Sequence, residues 1–285
     1  MIPYFEQPTL PLGPVTLHAF GALVGGALLA GSALTVRRCR KSGLDPELGG
    51  DLAIYALVAG FVAAHLYATL AYFPQDVLRN PILLFKIWEN ISSFGGFVGG
   101  LFGIWLFFKM RAPGLAREEK WKYLDAVVFV LPFAWAIGRL ACTVAHDHPG
   151  TVTTFPLGVS LATPEAREYI ASYYASAGRL AELPRPAQLE RMAFHDLGWY
   201  EFLYTLFVIV PAFLVLDRKP RRAGFYAIAF LFLYVPARFA LDFLRLADAR
   251  YLGLTPAQYA GIAGLAGAGV AASVRRRNRQ ERGAT

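Results

Sequence analysis

Two arginines stand inside stretches whose other residues are almost all apolar. The first stretch runs from Leu131 to Cys142, with Gly138 and Arg139 near its end, and the second runs from Tyr234 to Arg245 through Arg238 and Asp242. A guanidinium is a planar fork of donors that suits phosphate oxygens and keeps its charge when dehydrated. At the centre of a membrane helix an arginine costs roughly 2.5–3.5 kcal/mol on insertion scales, so it normally pairs or lines a polar cavity. Arg238 and Asp242 are four residues apart and share a helix face; Arg245, seven residues after Arg238, falls on the same face. The chemistry these residues point to is binding of a phosphate group, and a phospholipid headgroup entering sideways is the expected ligand. The plainer alternative is a structural ion pair with a snorkelling arginine.

Three further groups of residues carry chemistry. His195-Asp196-Leu197-Gly198-Trp199-Tyr200-Glu201 leads into an apolar stretch. Trp199 and Tyr200 suit a membrane interface, whereas Glu201, just inside the stretch, needs a partner such as an arginine. Gly95, Gly99 and Gly103 recur at spacing four, as do Gly96 and Gly100. That pattern lets helix backbones approach closely, and the outer pair, Gly95 and Gly96, also leaves room for a headgroup against backbone amides. His146-Asp147-His148, with Cys142 one helical turn earlier, has ligand chemistry suited to zinc. No metal site is assigned on this basis: His146 and His148 are candidate ligands, and hydrogen-bonded histidines are the alternative. No cofactor is expected.

The elements that must position these residues are membrane spans. Of the 285 residues 56% are hydrophobic and 17% charged, which is less charge than a soluble domain carries. The apolar residues come in blocks near the roughly 20 residues that cross a bilayer. Seven spans are expected: Val15 to Val36, Leu52 to Phe73, Phe94 to Met110, Ala126 to Val144, Tyr200 to Leu216, Gly224 to Leu241 and Pro256 to Val274. Met1 to Pro14, with four prolines and no lysine or arginine, reads as an arm and not as a cleavable leader. The only cysteines, Cys39 in a basic segment and Cys142 in a span, are not expected to form a bridge.

The net charge of +8 does not indicate nucleic acid, because the basic residues sit in short runs beside apolar spans. Eighteen of the 28 lysines and arginines fall on one side of the expected bundle: after span one, between spans three and four, between five and six, and in the tail. The richer side is cytoplasmic, which places the N-terminus outside and the C-terminus inside and requires an odd number of spans. The fold class expected is an all-α membrane protein. Residues 1–285 read as a single integral membrane domain, and residues 146–199 as a small helical periplasmic head. Thr163-Pro164 opens a helix in that head with an N-cap followed by proline at the first position.

In order and spacing, these pieces resemble the bacterial prolipoprotein diacylglyceryl transferase family. Gly138-Arg139 through Asp147 to Gly150 resembles the family signature. Arg238, Asp242 and Arg245 resemble its late arginine motif, and His195 to Glu201 its His-to-Tyr-Glu motif. Leu17-His18-Ala19-Phe20-Gly21, Ser92 to Gly96 and Asp125 resemble further fragments, so the resemblance covers the chain from about Leu12 to the last span. The sequence departs from the pattern at Cys142 and Ala145, where the family has asparagines, and at Asp147 and Asp242, where it has glutamates. It also departs at Phe94, where the family has histidine, and at Ala63-Ala64-His65, where it has Gly-Gly-Arg.

The resemblance implies a fold and an activity. The donor would be phosphatidylglycerol and the acceptor the lipobox cysteine of a prolipoprotein signal peptide, at the outer leaflet of the bacterial inner membrane and among membrane lipids. The catalytic set implied is Arg139, Arg238, Asp242, His195 and Asp147, with Gly95, Gly96, Glu201, Tyr200, Arg245, His65 and Phe20 contacting substrate. Arg139 and Arg238 would hold the phosphate, and Asp242 would orient Arg238. A thiol of pKa about 8.5 needs a base, and His65, His146 and His195 are the candidates. A paralogue with another acceptor, or a phospholipid-binding or transport protein without catalysis, is the alternative; a transporter would be favoured by inverted repeats, which the sequence does not display.

Overall fold

The computed structural model describes residues 1–13, 15–86, 91–246 and 250–283. The chain forms two compact units: residues 1–27, 132–220 and 228–285, and residues 28–131 with 221–227.

The first unit opens on a hairpin, not on a span. Strand β1 (Thr9–Leu12) pairs antiparallel with β2 (Val15–His18), Thr9 opposite His18, across a turn that holds Gly13 in the left-handed region. Prolines lack the N–H a helix needs but are tolerated at a strand edge, so Val15 to His18 extends the arm. Helix α1 (Ala19–Lys41) starts four residues later than expected and runs on through Arg38, Arg40 and Lys41, whose charges suit its C-terminal end. Cys39 therefore lies in that helix and is buried.

The second unit is organised by helix α2 (Pro46–Tyr72). Asp45 caps it, accepting from Glu47 N at 2.8 Å, and Pro46 is its first residue. Short helix α3 (Pro74–Arg79) and a 3₁₀ turn over Pro81–Phe85 follow. Helix α4 (Ser93–Met110) then packs back along α2. The glycine stripe is the reason for the close approach. A Cβ on Gly99 would stand 2.4 Å from Ala59 O, and one on Gly103 2.3 Å from Tyr55 O. At that separation only hydrogen fits.

Helix α5 (Arg117–Ala145) is longer than its apolar core, because Arg117 to Tyr123 add two charged turns before it. On this helix Asp125 accepts hydrogen bonds from Gly224 N (2.6 Å), Phe225 N (3.0 Å) and Ala227 N (3.1 Å). A carboxylate there satisfies the free donors that open a helix and meets the positive end of its dipole. Asp125→Ala is expected to lower stability by about 2–3 kcal/mol, read as a lower denaturant midpoint in detergent, with Asp125→Asn losing less. An unchanged midpoint would mean that water replaces the cap without cost.

Residues 146–199 are not purely helical. Strands β3 (Pro149–Thr153), β4 (Val159–Ser160) and β5 (Ala193–Asp196) form an antiparallel sheet with β5 in the middle. Helix α6 (Pro164–Ser176) starts at Thr163 and Pro164 as expected, and short helix α7 (Pro186–Leu189) precedes β5. Val159, Leu161, Ile170, Tyr174 and Phe194 make the core of this segment, with Ile2 and Tyr4 of the N-terminal arm packed on it.

One span is built from helix α8 (Leu197–Tyr204), a π-helical turn (Thr205–Ile209) and helix α9 (Val210–Leu216). Pro211 cannot donate to the preceding turn, and the widened turn just before it takes up the misfit. Helix α10 (Phe225–Leu241) tightens into a 3₁₀ turn at Asp242–Leu244. Arg245 is thus outside the helix, although the seven-residue spacing predicts it on the helical face of Arg238. The last helix, α11, covers Pro256–Gly283.

Among the described residues six helices are long and apolar enough to cross a membrane. The expected seventh span is helical within α11 but is not one of the six.

Candidate active site

The site is built on two matched turns of helix in the first unit. On α5, Trp135 precedes Arg139 by four residues, and the guanidinium carbon lies 4.4 Å from the indole ring centre. On α10, Tyr234 precedes Arg238 by four. Trp135 and Tyr234 meet edge-on at 5.9 Å. Glu201, from α8, stands between the two arginines. Its Oε2 is 2.8 Å from Arg139 Nε and its Oε1 is 3.2 Å from Arg238 Nη1. Tyr234 donates a hydrogen bond to Oε2 at 3.1 Å. Arg139 and Glu201 are each only 3% exposed, so this carboxylate is what holds two like charges together away from water.

Asp242 extends the network. Its Oδ1 lies 2.7 Å from Arg238 Nη2 and 3.9 Å from Arg245 Nη1, and Thr255 donates to its Oδ2 at 3.1 Å. Guanidinium groups from Arg139, Arg238 and Arg245 thus converge on the two carboxylates of Glu201 and Asp242, donor chemistry that suits a phosphodiester. Arg245 is fixed by a bridge to Gly150, where a Cβ would stand 2.7 Å from Leu244 O. Glycine is therefore required where the signature ends.

Helix α5 stops in a Schellman turn. His146 takes the left-handed conformation, with φ of 50°; its N–H bonds to Thr143 O at 3.3 Å, and Asp147 N bonds to Cys142 O at 3.3 Å. The six-to-one bond folds Asp147 and His148 back over Cys142. His146 itself points elsewhere. Its Nδ1 is 2.6 Å from Asp196 Oδ2, its ring stacks on Tyr4, and its carbonyl accepts from Tyr169 Oη. Asp196 Oδ1 meanwhile caps α8 at Trp199 N.

Cys142, Asp147 and His148 bring one potential ligand atom each to within 4.8 Å of one another. His148 Nδ1 bonds to Asp147 Oδ1. Burial opposes charge on both, but the partnership outweighs it. Asp147, with the Cys142 sulfur beside it, raises His148 to about 9, and the imidazolium holds the Asp147 carboxyl below the usual carboxylate range. Arg139 Nη1 lies 3.6 Å from Cys142 Sγ, which joins this trio to the arginine pair.

The structure thus brings together Arg139, Arg238, Asp242, Arg245 and Glu201 from the expected site residues, with Asp147 linked through Cys142. His195 and Tyr200 form a separate pair: their Nδ1–Oη distance is 2.9 Å, Phe155 packs on both rings, and burial lowers the imidazole's pKa. Phe20 lies half-buried in the first turn of α1.

The remaining site residues are in the second unit. There His65 is fully buried, with Nε2 3.1 Å from Leu83 O and Nδ1 3.4 Å from Thr69 Oγ1. A Cβ on Gly95 would lie 2.6 Å from Ala63 O, so packing against α2 accounts for that glycine. Gly96 has more room, with Ala64 Cβ at 3.7 Å. Trp135 and Tyr234 were not among the expected site residues; the signal was an aromatic residue four positions before each arginine.

The family model described as prolipoprotein diacylglyceryl transferase matches residues 8–274. Proteins named phosphatidylglycerol–prolipoprotein diacylglyceryl transferase are similar over most of the chain. That of Chromobacterium violaceum is 30% identical over 260 residues, covering 88% of this chain and 87% of that protein. That of Sodalis glossinidius is 31% identical over 261 residues, covering 88% and 85%. That of Chromohalobacter salexigens is 26% identical over 247 residues, covering 86% and 81%.

Proposed function

This chain belongs to the prolipoprotein diacylglyceryl transferase family, and from that premise we propose that it transfers the diacylglyceryl group of phosphatidylglycerol to the lipobox cysteine of a prolipoprotein signal peptide. The observation that carries this reading is the buried Arg139–Glu201–Arg238 cluster, two guanidinium groups held on one carboxylate. The acceptor sulfur attacks the glycerol carbon that bears the phosphate ester. A carbon–sulfur bond forms, the carbon–oxygen bond breaks, and glycerol phosphate leaves, its freed oxygen taking up the proton that the thiol gives up. Charge grows on the departing phosphate oxygen, and donors already in place stabilise it without reorganising. Glu201 and Asp242 hold the guanidinium groups in position.

The protein is a multi-pass membrane protein. We place it in the bacterial inner membrane as one integral domain, with α11 as a seventh crossing, residues 146–199 as a periplasmic head over the site, the N-terminus outside and the C-terminus in the cytoplasm. The asymmetry of lysine and arginine supports that orientation. Its partners are phosphatidylglycerol, the prolipoprotein signal peptide and the surrounding lipids, and nucleic acid is not among them.

The test uses membranes in which this is the only such enzyme, with phosphatidylglycerol and a lipobox peptide, and mass spectrometry of the peptide. An added diacylglyceryl group on the cysteine, lost with Arg139→Ala, is the expected result. No adduct from folded protein that still binds the lipid would replace this reading with another acceptor or with a binding role.

A further inference from the structure

Beside the arginine pair lies a second group of residues that phosphate binding leaves unused. Cys142, Asp147 and His148 contribute a sulfur, a carboxylate oxygen and an imidazole nitrogen, all within 4.8 Å of one another. The backbone dictates this convergence. The left-handed residue His146 and the bond from Asp147 N to Cys142 O wrap the two residues after the helix over its last turn. The three side chains are half-buried, so their ligand atoms are held yet reachable. His146, adjacent in sequence, is tied to Asp196 and takes no part.

We propose that Cys142, Asp147 and His148 form a zinc site, and that its remaining position takes the thiolate of the acceptor cysteine. The second clause rests on the transferase reading; the first does not. One thiolate, one imidazole and one carboxylate are all zinc ligands, and three protein ligands leave a place open in a tetrahedral shell. The ion takes the place of the proton that His148 shares with Asp147.

Cys142 as thiolate and Asp147 as carboxylate together neutralise a divalent ion, and the acceptor thiolate in the open position then leaves the site with one negative charge beside Arg139. Coordination deprotonates a thiol outright, which supplies the nucleophile. Arg139 Nη1 is 3.6 Å from Cys142 Sγ. A sulfur held on the ion is therefore a neighbour of a phosphate ester held by Arg139, and proximity of that kind is what displacement at the adjacent carbon requires.

Cobalt is the probe, because a cysteine ligand gives it an intense thiolate charge-transfer band. Purified full-length protein, stripped of metal and titrated with Co²⁺, is expected to show that band saturating at about one ion per chain, with zinc displacing it. Cys142→Ser is expected to lose the band. Changes outside the ligand shell alone weaken metal sites by about 10–100-fold, so His148→Ala, which removes a ligand, is expected to weaken binding by at least about 100-fold. His146→Asn, which keeps a residue tolerant of the left-handed turn, is expected to leave affinity unchanged.

A lipobox peptide with free cysteine is expected to strengthen the band as a second thiolate joins, and its serine version to have no effect. Absence of a band in folded wild-type protein, or a band that survives Cys142→Ser, overturns the site. A band indifferent to the peptide thiol overturns the acceptor's place on the ion. The titration needs no phosphatidylglycerol, so failed diacylglyceryl transfer with an intact cobalt band sinks the transferase reading and spares the metal site.

Discussion

Glu201→Ala is expected to destabilise the protein by about 3–5 kcal/mol, the largest effect of any single substitution in the cluster. Removing one partner of a buried ionic network leaves the others uncompensated, and that range is typical of such a loss. Here the loss is doubled. Each Glu201 oxygen serves a different arginine, at 2.8 and 3.2 Å, and Tyr234 loses its acceptor as well. Arg238 retains Asp242 at 2.7 Å. Thermal unfolding in detergent checks this, with Arg139→Met/Glu201→Met as the informative companion. Burying two apolar side chains in place of an ion pair is often neutral, so the double variant is expected to regain folded protein while transferring no diacylglyceryl group. If Glu201→Ala unfolds at the wild-type temperature, the carboxylate is not what holds the arginines together.

The second large effect is catalytic. Arg139→Lys keeps a positive charge opposite Glu201, so the fold is expected to survive. A lysine nitrogen is a point donor, however, and cannot reproduce a planar fork. Arg139 uses Nε for Glu201, points Nη1 toward Cys142, and lays its plane near Trp135. A single nitrogen cannot meet all three demands and still hold a phosphate oxygen. Loss of one aimed donor at a developing anion typically lowers kcat by about 10²–10³, and a fall of that size per folded molecule is expected. Stability measured on the same preparation separates this from unfolding. Full activity in Arg139→Lys would show that charge alone suffices and would remove the guanidinium from the mechanism.

What the sequence makes legible is what is local. Arg238 and Asp242 share a helical turn, so their ion pair follows from spacing four. Glu201 is recognisable as needing an arginine because a carboxylate inside a span must be paired. That it bridges two arginines is not visible, since the bridge depends on how α8 seats between α5 and α10. The sixth span is expected to end at Leu241 and α10 does end there; what is hidden is the 3₁₀ turn that moves Arg245 off the helical face, which carries no glycine or proline to mark it. His146 misleads in the opposite direction. A left-handed helix terminator is usually glycine, so nothing in His146-Asp147-His148 announces that its middle and last residues turn toward Cys142 while the first turns away. The hairpin at Thr9 to His18 is missed because hydropathy alone does not separate a short apolar strand from the first turn of a span.

The cap that Asp125 places on α10 has a consequence in time. The carboxylate and the amides it serves are separated by 99 to 102 residues. At roughly 5–20 residues per second, synthesis leaves Asp125 without those donors for about 5–20 s after it is made. An unpaired carboxylate cannot wait that long in hydrocarbon, so its end of α5 stays at the water boundary until residues 224–227 arrive. The order of synthesis therefore sets which end of α5 is fixed last, and a chain halted before Gly224 should leave Asp125 in contact with water.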